Sequence, residues 1–133
     1  MARRISLDTG VLIGLERGTL PPGILSDDDD ICLSIIVIAE YMAGIRVAHP
    51  HHQQRMQLFL DRLLSEIPVM PFDEETLDTH VRLYSWTHKK GCPRGQHDLI
   101  IASLCVATDR ILLTTDRRAR FHEFPGIKVE LVS

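Results

Sequence analysis

Short apolar segments typical of β-strands alternate with longer segments of helical type along this chain of 133 residues. Strands separated by helices are typical of a mostly parallel sheet that is covered on both faces. Because 44% of the residues are apolar, the chain can bury one ordinary core, and we expect a single α/β domain over residues 1–133. The predicted strands are residues 4–7, 31–33, 67–70, 111–115 and, at one edge, 127–131.

The segment Ile31–Met42 admits two interpretations. Its β-branched residues suit a strand, whereas Ser34 is a good N-cap for a helix that runs to Gly44. We favour a strand that ends at this cap and is followed by a buried helix. The next helix is expected to begin at Pro50, because apolar side chains then recur at three- and four-residue spacing as far as Ile67.

Two further helices are predicted in the second half of the chain. Asp73 is expected to cap the first of them, with a core face that includes Leu77, Val81 and Tyr84. The second covers residues 98–107, which are apolar on nearly all sides. Such a segment is typical of a buried helix.

The composition indicates a protein without a membrane segment or a disulfide framework. The basic N-terminal residues are not followed by the apolar run of a signal peptide, and no stretch reaches membrane-spanning length, so we expect a cytoplasmic protein. The three cysteines are odd in number and widely spaced, and we interpret them as small, mostly buried apolar residues. They are Cys32, Cys92 and Cys105.

The formal net charge of −3 is unevenly distributed. Residues 80–120 hold eight Lys or Arg against three acids, whereas the remainder of the chain is acidic. This segment is a candidate phosphate-binding rim on an acidic protein. Its candidate contact residues are Arg94, Arg117 and Arg118, and ordinary surface ion pairs are the alternative interpretation for them.

Four acidic side chains occupy unusual positions. Asp8 and Asp116 follow predicted strands, Asp98 lies at a helix start, and Glu40 is embedded in a hydrophobic helix. Because ligands gather beyond the carboxyl ends of parallel strands, these acids are candidates for one cluster. Their mutual repulsion is best relieved by a divalent cation, and an all-oxygen ligand set suits Mg²⁺ or Mn²⁺. Such a site is typical of phosphodiester hydrolysis.

Each acid also has a structural interpretation. Asp8 and Asp98 are good N-caps or first-turn residues of helices, and Asp116 is a good turn residue with an Asx hydrogen bond. Glu40 needs a partner if it is buried among apolar neighbours. His97, next to the presumed site, is a candidate for either substrate contact or a local hydrogen bond.

The four acids lie within a set of motifs: residues 7–13, Ser34 with Glu40, residues 97–102, residues 114–116 with Phe121, and the closing residues 124–129. As a set, these motifs resemble the PIN domain of VapC toxins. The resemblance implies a three-layer α/β/α fold around a parallel sheet of four to five strands. It also implies a Mg²⁺- or Mn²⁺-dependent endoribonuclease that cuts structured RNA such as tRNA or rRNA.

The resemblance assigns a role to each acid. Asp8 and Asp98 would hold the principal metal ion, while Asp116 and Glu40 would bind it through water, or bind a second ion, and orient the nucleophile. Thr114 would support Asp116 with its hydroxyl. The resemblance further implies a homodimer and a VapB-type antitoxin that wraps the toxin, with DNA contacted only through the antitoxin.

One residue departs from the family pattern, because Gly10 stands where Asn or Ser is common and normally braces the first acid. This departure supports an alternative function, a catalytically weak PIN-like module that binds RNA or a partner. A third hypothesis is a phosphatase of the receiver-like or haloacid-dehalogenase kind with an aspartate nucleophile. Gly10 argues against it, since it replaces the second acid of the expected Asp-x-Asp motif.

Overall fold

The computed structural model describes residues 2–132. Its strands are β1 Arg4–Leu7, β2 Asp30–Ser34, β3 Val69–Met70, β4 Ile111–Thr114 and β5 Lys128–Leu131. They form one sheet in the order β3-β2-β1-β4-β5, and every neighbouring pair is parallel. The final strand therefore lies at an edge, as the sequence predicts.

Five α-helices flank this sheet within the described residues. The predicted α/β fold with a parallel sheet is therefore confirmed. The helices are α1 Thr9–Arg17, α2 Ile35–Val47, α3 Pro50–Glu66, α4 Glu74–Lys90 and α5 Gln96–Ala107, and one turn of 3-10 helix covers Phe121–Glu123.

The central strands set the position of the carboxyl edge. Strands β1 and β4 are buried on both faces because helices cover both: Ile5 and Leu7 on one face of β1 and Ser6 on the other are all fully buried. In the register of this pair, Leu7 lies beside Leu113. The two strands therefore end level with each other, and the Asp8 amide donates a hydrogen bond of 2.9 Å to the Leu113 carbonyl.

The preferred interpretation of residues 31–42 is confirmed. Strand β2 ends at Ser34, whose hydroxyl caps α2 by accepting a hydrogen bond of 3.2 Å from the Val37 amide. Helix α2 continues past Gly44 to Val47, one turn beyond the prediction. Helix α3 also begins where expected, with Pro50 as its first residue.

Helix α4 begins as predicted, but the predicted core face is wrong. Asp73 caps it in a capping box with Thr76. Leu77 and Val81, however, are 54% and 51% exposed, and Tyr84 is 36% exposed. The helix packs chiefly against α5 through a different face, which is made mostly of threonines. The buried residues of this face are Thr76, Thr79, Leu83 and Thr87.

The remaining sequence expectations are met in part. Cys32 and Cys105 are buried as predicted, whereas Cys92 is partly exposed, and within residues 2–132 all three are free thiols. Helix α5 is buried on most of its surface, also as predicted. No helix in the described part of the chain is long and apolar enough to cross a membrane.

Candidate active site

The four predicted acids line one cavity of about 360 Å³ at the carboxyl edge of the sheet. Each comes from a different part of the fold: the end of β1, the middle of α2, the first turn of α5 and the residues after β4. The topology therefore gathers side chains that are up to 108 positions apart in the sequence. The residues lining the cavity are Asp8, Thr9, Gly10, Glu40, Asp98, Thr115 and Asp116.

Asp8 is the most firmly held of the acids. One carboxylate oxygen, Oδ1, accepts a hydrogen bond of 2.8 Å from the Thr9 amide, as expected of an N-cap. The other, Oδ2, accepts one of 2.6 Å from the buried Thr114 hydroxyl. Asp8 is thus both a helix cap and a cavity residue. Although Gly10 has no side chain that could brace it, both carboxylate oxygens of Asp8 are held by hydrogen bonds.

Glu40 has the partners that its position in an apolar helix requires. Its Oε1 accepts a hydrogen bond of 2.7 Å from the Thr9 hydroxyl, and its Oε2 lies 3.2 Å from Nδ1 of His97. Thr9, which directly follows Asp8, is a further residue of the site that the sequence pattern did not predict. His97 makes the local hydrogen bond that was one of its two expected roles.

Asp98 does not cap its helix, whereas Asp116 forms the turn that the sequence predicts. The N-cap of α5 is Gly95, so Asp98 is a first-turn residue and does not cap the helix. Asp116 does form a turn, because its Oδ1 accepts hydrogen bonds of 2.9 and 3.1 Å from the amides of Arg118 and Ala119. It lines the cavity at the same time.

The cavity disfavours negative charge. Burial raises the pKa of Asp8, and the charges of Glu40 and Asp116 add to this, while hydrogen bonds from Thr114 and Thr9 oppose it. Burial also raises the pKa of Asp98, together with the charges of the other three acids and against that of His97. A cation bound in the cavity would relieve both effects.

The donor set fits a hard divalent cation. The acids offer only carboxylate oxygens, which suit Mg²⁺ or Mn²⁺. Within residues 2–132, no three His, Cys, Asp or Glu side chains are grouped closely enough to enclose an ion by themselves.

The raised pKa of Asp98 leads to a testable expectation for the metal-free protein. A carboxyl whose pKa is higher in the folded than in the unfolded state costs stability wherever it is ionised in the folded state. Asp98→Asn should therefore raise the melting temperature by a few degrees at pH 7 in EDTA. The advantage should shrink as the pH falls through the folded pKa towards the unfolded value, about 3.9.

Thermal melting of both proteins across this pH range is the measurement. Addition of Mn²⁺ should stabilise the wild type more than Asp98→Asn, which reverses the order seen in EDTA. An Asp98→Asn protein that melts below the wild type at every pH would contradict the electrostatic account.

Arg94 has a structural position that corrects its assignment as an RNA contact. Its side chain is only 5% exposed and forms an ion pair with Glu123. It also donates hydrogen bonds to the carbonyls of Cys92 and Pro93, and its guanidinium lies 5.5 Å from the centre of the Phe124 ring. Because its guanidinium makes these contacts inside the protein, Arg94 is not available to contact a phosphate on the surface.

The other two candidate basic residues are exposed. Arg117 and Arg118 follow the cavity residue after β4, and Arg117 lines a neighbouring cavity of about 420 Å³ together with Arg120. Arg110, which contributes to the basic segment of the sequence, is instead buried and bonded to Asp30. The basic rim is therefore narrower than the charge count indicates.

Comparisons with known proteins identify the family. The PIN domain pattern matches residues 5–126. The chain is 28% identical over 128 residues to "Ribonuclease VapC1" of Rickettsia felis, an alignment that covers 96% of this chain and 95% of that protein. Among solved structures, VapBC2 from Rickettsia felis, bound to a promoter DNA fragment, gives a TM-score of 0.83 at 24% identity over 96% of this chain and 98% of that chain.

A second structure supports the same fold. DNA-bound VapBC from Salmonella typhimurium gives a TM-score of 0.81 at 23% identity, with 98% of both chains covered. The family pattern spans strands β1 to β4 from Ile5 onwards and all four acids of the cavity, and it ends before β5. This chain belongs to the PIN domain family.

Proposed function

We propose that this protein is an endoribonuclease that hydrolyses phosphodiester bonds of RNA, and that it is the toxin of a VapBC-type toxin–antitoxin pair. The observation that carries the proposal is the convergence of Asp8, Glu40, Asp98 and Asp116 on one cavity at the carboxyl edge of the sheet. The similarity to a relative named as a ribonuclease supports it.

In this proposal Asp8 and Asp98 hold a Mg²⁺ or Mn²⁺ ion. When bound, the ion supplies positive charge that makes a water molecule more acidic and stabilises charge on the reacting phosphate. Asp8 is suited to this role because hydrogen bonds to both of its oxygens fix its orientation. Asp98 is suited because it lies in a helical turn and is not used as a cap.

Glu40 and Asp116 are proposed to orient the attacking water by accepting its hydrogen bonds. Glu40 is held for this purpose from two sides, by the Thr9 hydroxyl and by His97. Asp116 is held through Oδ1 by two backbone amides. Thr114 supports the site twice, because its hydroxyl donates to Asp8 and accepts a hydrogen bond of 3.0 Å from the Asp116 amide.

The proposed substrate is structured RNA, such as tRNA or rRNA, with Arg117 and Arg118 contacting its phosphates beside the cavity. The proposed partner is a VapB-type antitoxin, by analogy with the VapBC complexes of similar fold. We further infer a homodimer in the cytoplasm that contacts DNA only through the antitoxin. The alternative, a weakly active binding module, rested on Gly10, and the two hydrogen bonds to Asp8 weaken that argument.

The test is cleavage of total cellular RNA by purified protein, free of antitoxin, in Mg²⁺, Mn²⁺ or EDTA. Discrete fragments should form with either ion and disappear in EDTA, and sequencing of their ends would identify the cut sites. Asp98→Asn serves as the inactive control for contaminating nucleases. Absence of cleavage by folded wild-type protein in every condition would reject the nuclease in favour of the binding module.

A further inference from the structure

Gly10 lies against the residue that follows β4. A Cβ atom built on Gly10 would be 2.2 Å from the Thr115 hydroxyl oxygen, a distance that non-bonded atoms do not adopt, and 3.5 Å from the Thr115 Cβ. The backbone of Gly10 is helical and not left-handed, so its conformation does not require glycine. The hydroxyl of Thr115 therefore fills the space in which a side chain at position 10 would begin.

The Thr115 hydroxyl differs from the other hydroxyls of the site. The Thr9 hydroxyl donates to Glu40, and the Thr114 hydroxyl donates to Asp8. Thr115 is only partly buried and lines the cavity with the four acids, and among residues 2–132 no protein group shares a hydrogen bond with its hydroxyl. This hydroxyl is therefore open to a ligand in the cavity.

We propose that the Thr115 hydroxyl donates a hydrogen bond to a phosphate oxygen of RNA bound in the cavity, and that Gly10 keeps the space for it. This proposal rests on the proposed function. Ionised carboxylates only accept hydrogen bonds, so a phosphate that enters a cavity lined by four of them has few donors available. The free hydroxyl of Thr115 is one such donor.

The test removes the hydroxyl while preserving shape. Thr115→Val should weaken binding of a labelled RNA hairpin, measured by fluorescence anisotropy in Ca²⁺, by about tenfold, the usual scale for one hydrogen bond to a charged group. Cleavage in Mg²⁺ should fall by a similar factor. Affinity for Mn²⁺, measured by calorimetry, should be unchanged, because Thr115 contacts the RNA and not the ion.

A pair of double variants distinguishes the effect of the hydroxyl on RNA binding from the effect of packing. With Thr115→Ala the obstructing oxygen is gone, and a Cβ at position 10 makes an ordinary contact of 3.5 Å with the Cβ of residue 115. Gly10→Ser combined with Thr115→Ala returns a hydroxyl to this space and should restore RNA binding. Gly10→Ala combined with Thr115→Ala has nearly the same shape without the hydroxyl and should remain weak.

Melting temperatures test the space-filling part of the proposal. Gly10→Ala should lower the melting temperature of the wild type, because its Cβ meets the Thr115 hydroxyl. Combined with Thr115→Ala it should be neutral or stabilising, because alanine favours the helix more than glycine does. If Gly10→Ala is harmless in both backgrounds, the coupling between the two positions is absent.

The remaining outcomes separate this proposal from the proposed function. Wild-type RNA binding and cleavage by Thr115→Val, equal behaviour of the two double variants, or a loss of Mn²⁺ affinity in Thr115→Val would each overturn the phosphate contact. If the wild type binds the hairpin but never cuts it, the nuclease function fails, while weaker binding by Thr115→Val still supports the contact. A folded wild type that neither binds nor cuts RNA overturns both.

Discussion

Replacement of Asp8 by asparagine should slow RNA cleavage by about a thousandfold, the usual effect on the rate when a principal electrostatic contact is removed from an active site. Asp8 is 7% exposed, and its orientation is fixed through both oxygens. The substitution keeps the size of the side chain but removes the charge that would hold the ion. Single-turnover cleavage of RNA in Mg²⁺ and in Mn²⁺ is the measurement.

Two further variants give this result its meaning. Asp78→Asn is the matched control, because Asp78 lies on α4 with its side chain 93% exposed. This variant should cleave RNA at the wild-type rate. Thr114→Val should reduce cleavage by about ten- to a hundredfold, since it removes a supporting partner of two acids. A near-normal rate for Asp8→Asn, still abolished by EDTA, would show that Asp8 is not a principal ligand.

The fold was largely predictable because its central strands and its helices carry strong periodic patterns. The face of α4 was not, because this helix offers two candidate faces. Leu77 and Val81 form the more apolar one, yet Thr79 and Leu83 are the residues packed inside. Threonine buries a methyl group readily when its hydroxyl bonds locally, as Thr87 does with the Tyr84 carbonyl at 2.6 Å. Residue hydrophobicity alone does not reveal this choice.

The acids of the site were predictable, whereas their supporting residues were not. Asp8 and Asp116 are visible in the sequence because they directly follow strands, and parallel strands end at one edge. The contact between Gly10 and Thr115 joins positions that are distant in the chain, and only the register of β1 beside β4 brings them together. No local pattern encodes that proximity.

The assignment of Arg94 failed for a related reason. Charge counts treat every arginine alike, but the guanidinium of Arg94 is enclosed between Glu123 and Phe124. It ties the turn before α5 to the 3-10 turn after β4, and α5 carries Asp98. Arg94 thus joins the segment that precedes the helix of Asp98 to the segment that follows Asp116, through contacts that depend on the folded chain.

Arg94→Ala should accordingly lower the free energy of unfolding by about 2 kcal/mol, because it removes a largely buried ion pair and two hydrogen bonds to carbonyls. Urea denaturation measures this loss. The matched control is Arg117→Ala, an exposed position at which stability should not change.

RNA binding should show the reverse pattern: it should change in Arg117→Ala and not in Arg94→Ala. Arg117→Ala should weaken binding and reduce the slope of log affinity against log salt concentration by about one, as expected for a lost phosphate contact. Arg94→Ala, measured at a temperature where it is fully folded, should keep the wild-type slope. Unchanged stability in Arg94→Ala together with a reduced salt slope would instead return Arg94 to the RNA-binding surface that its position in the sequence indicates.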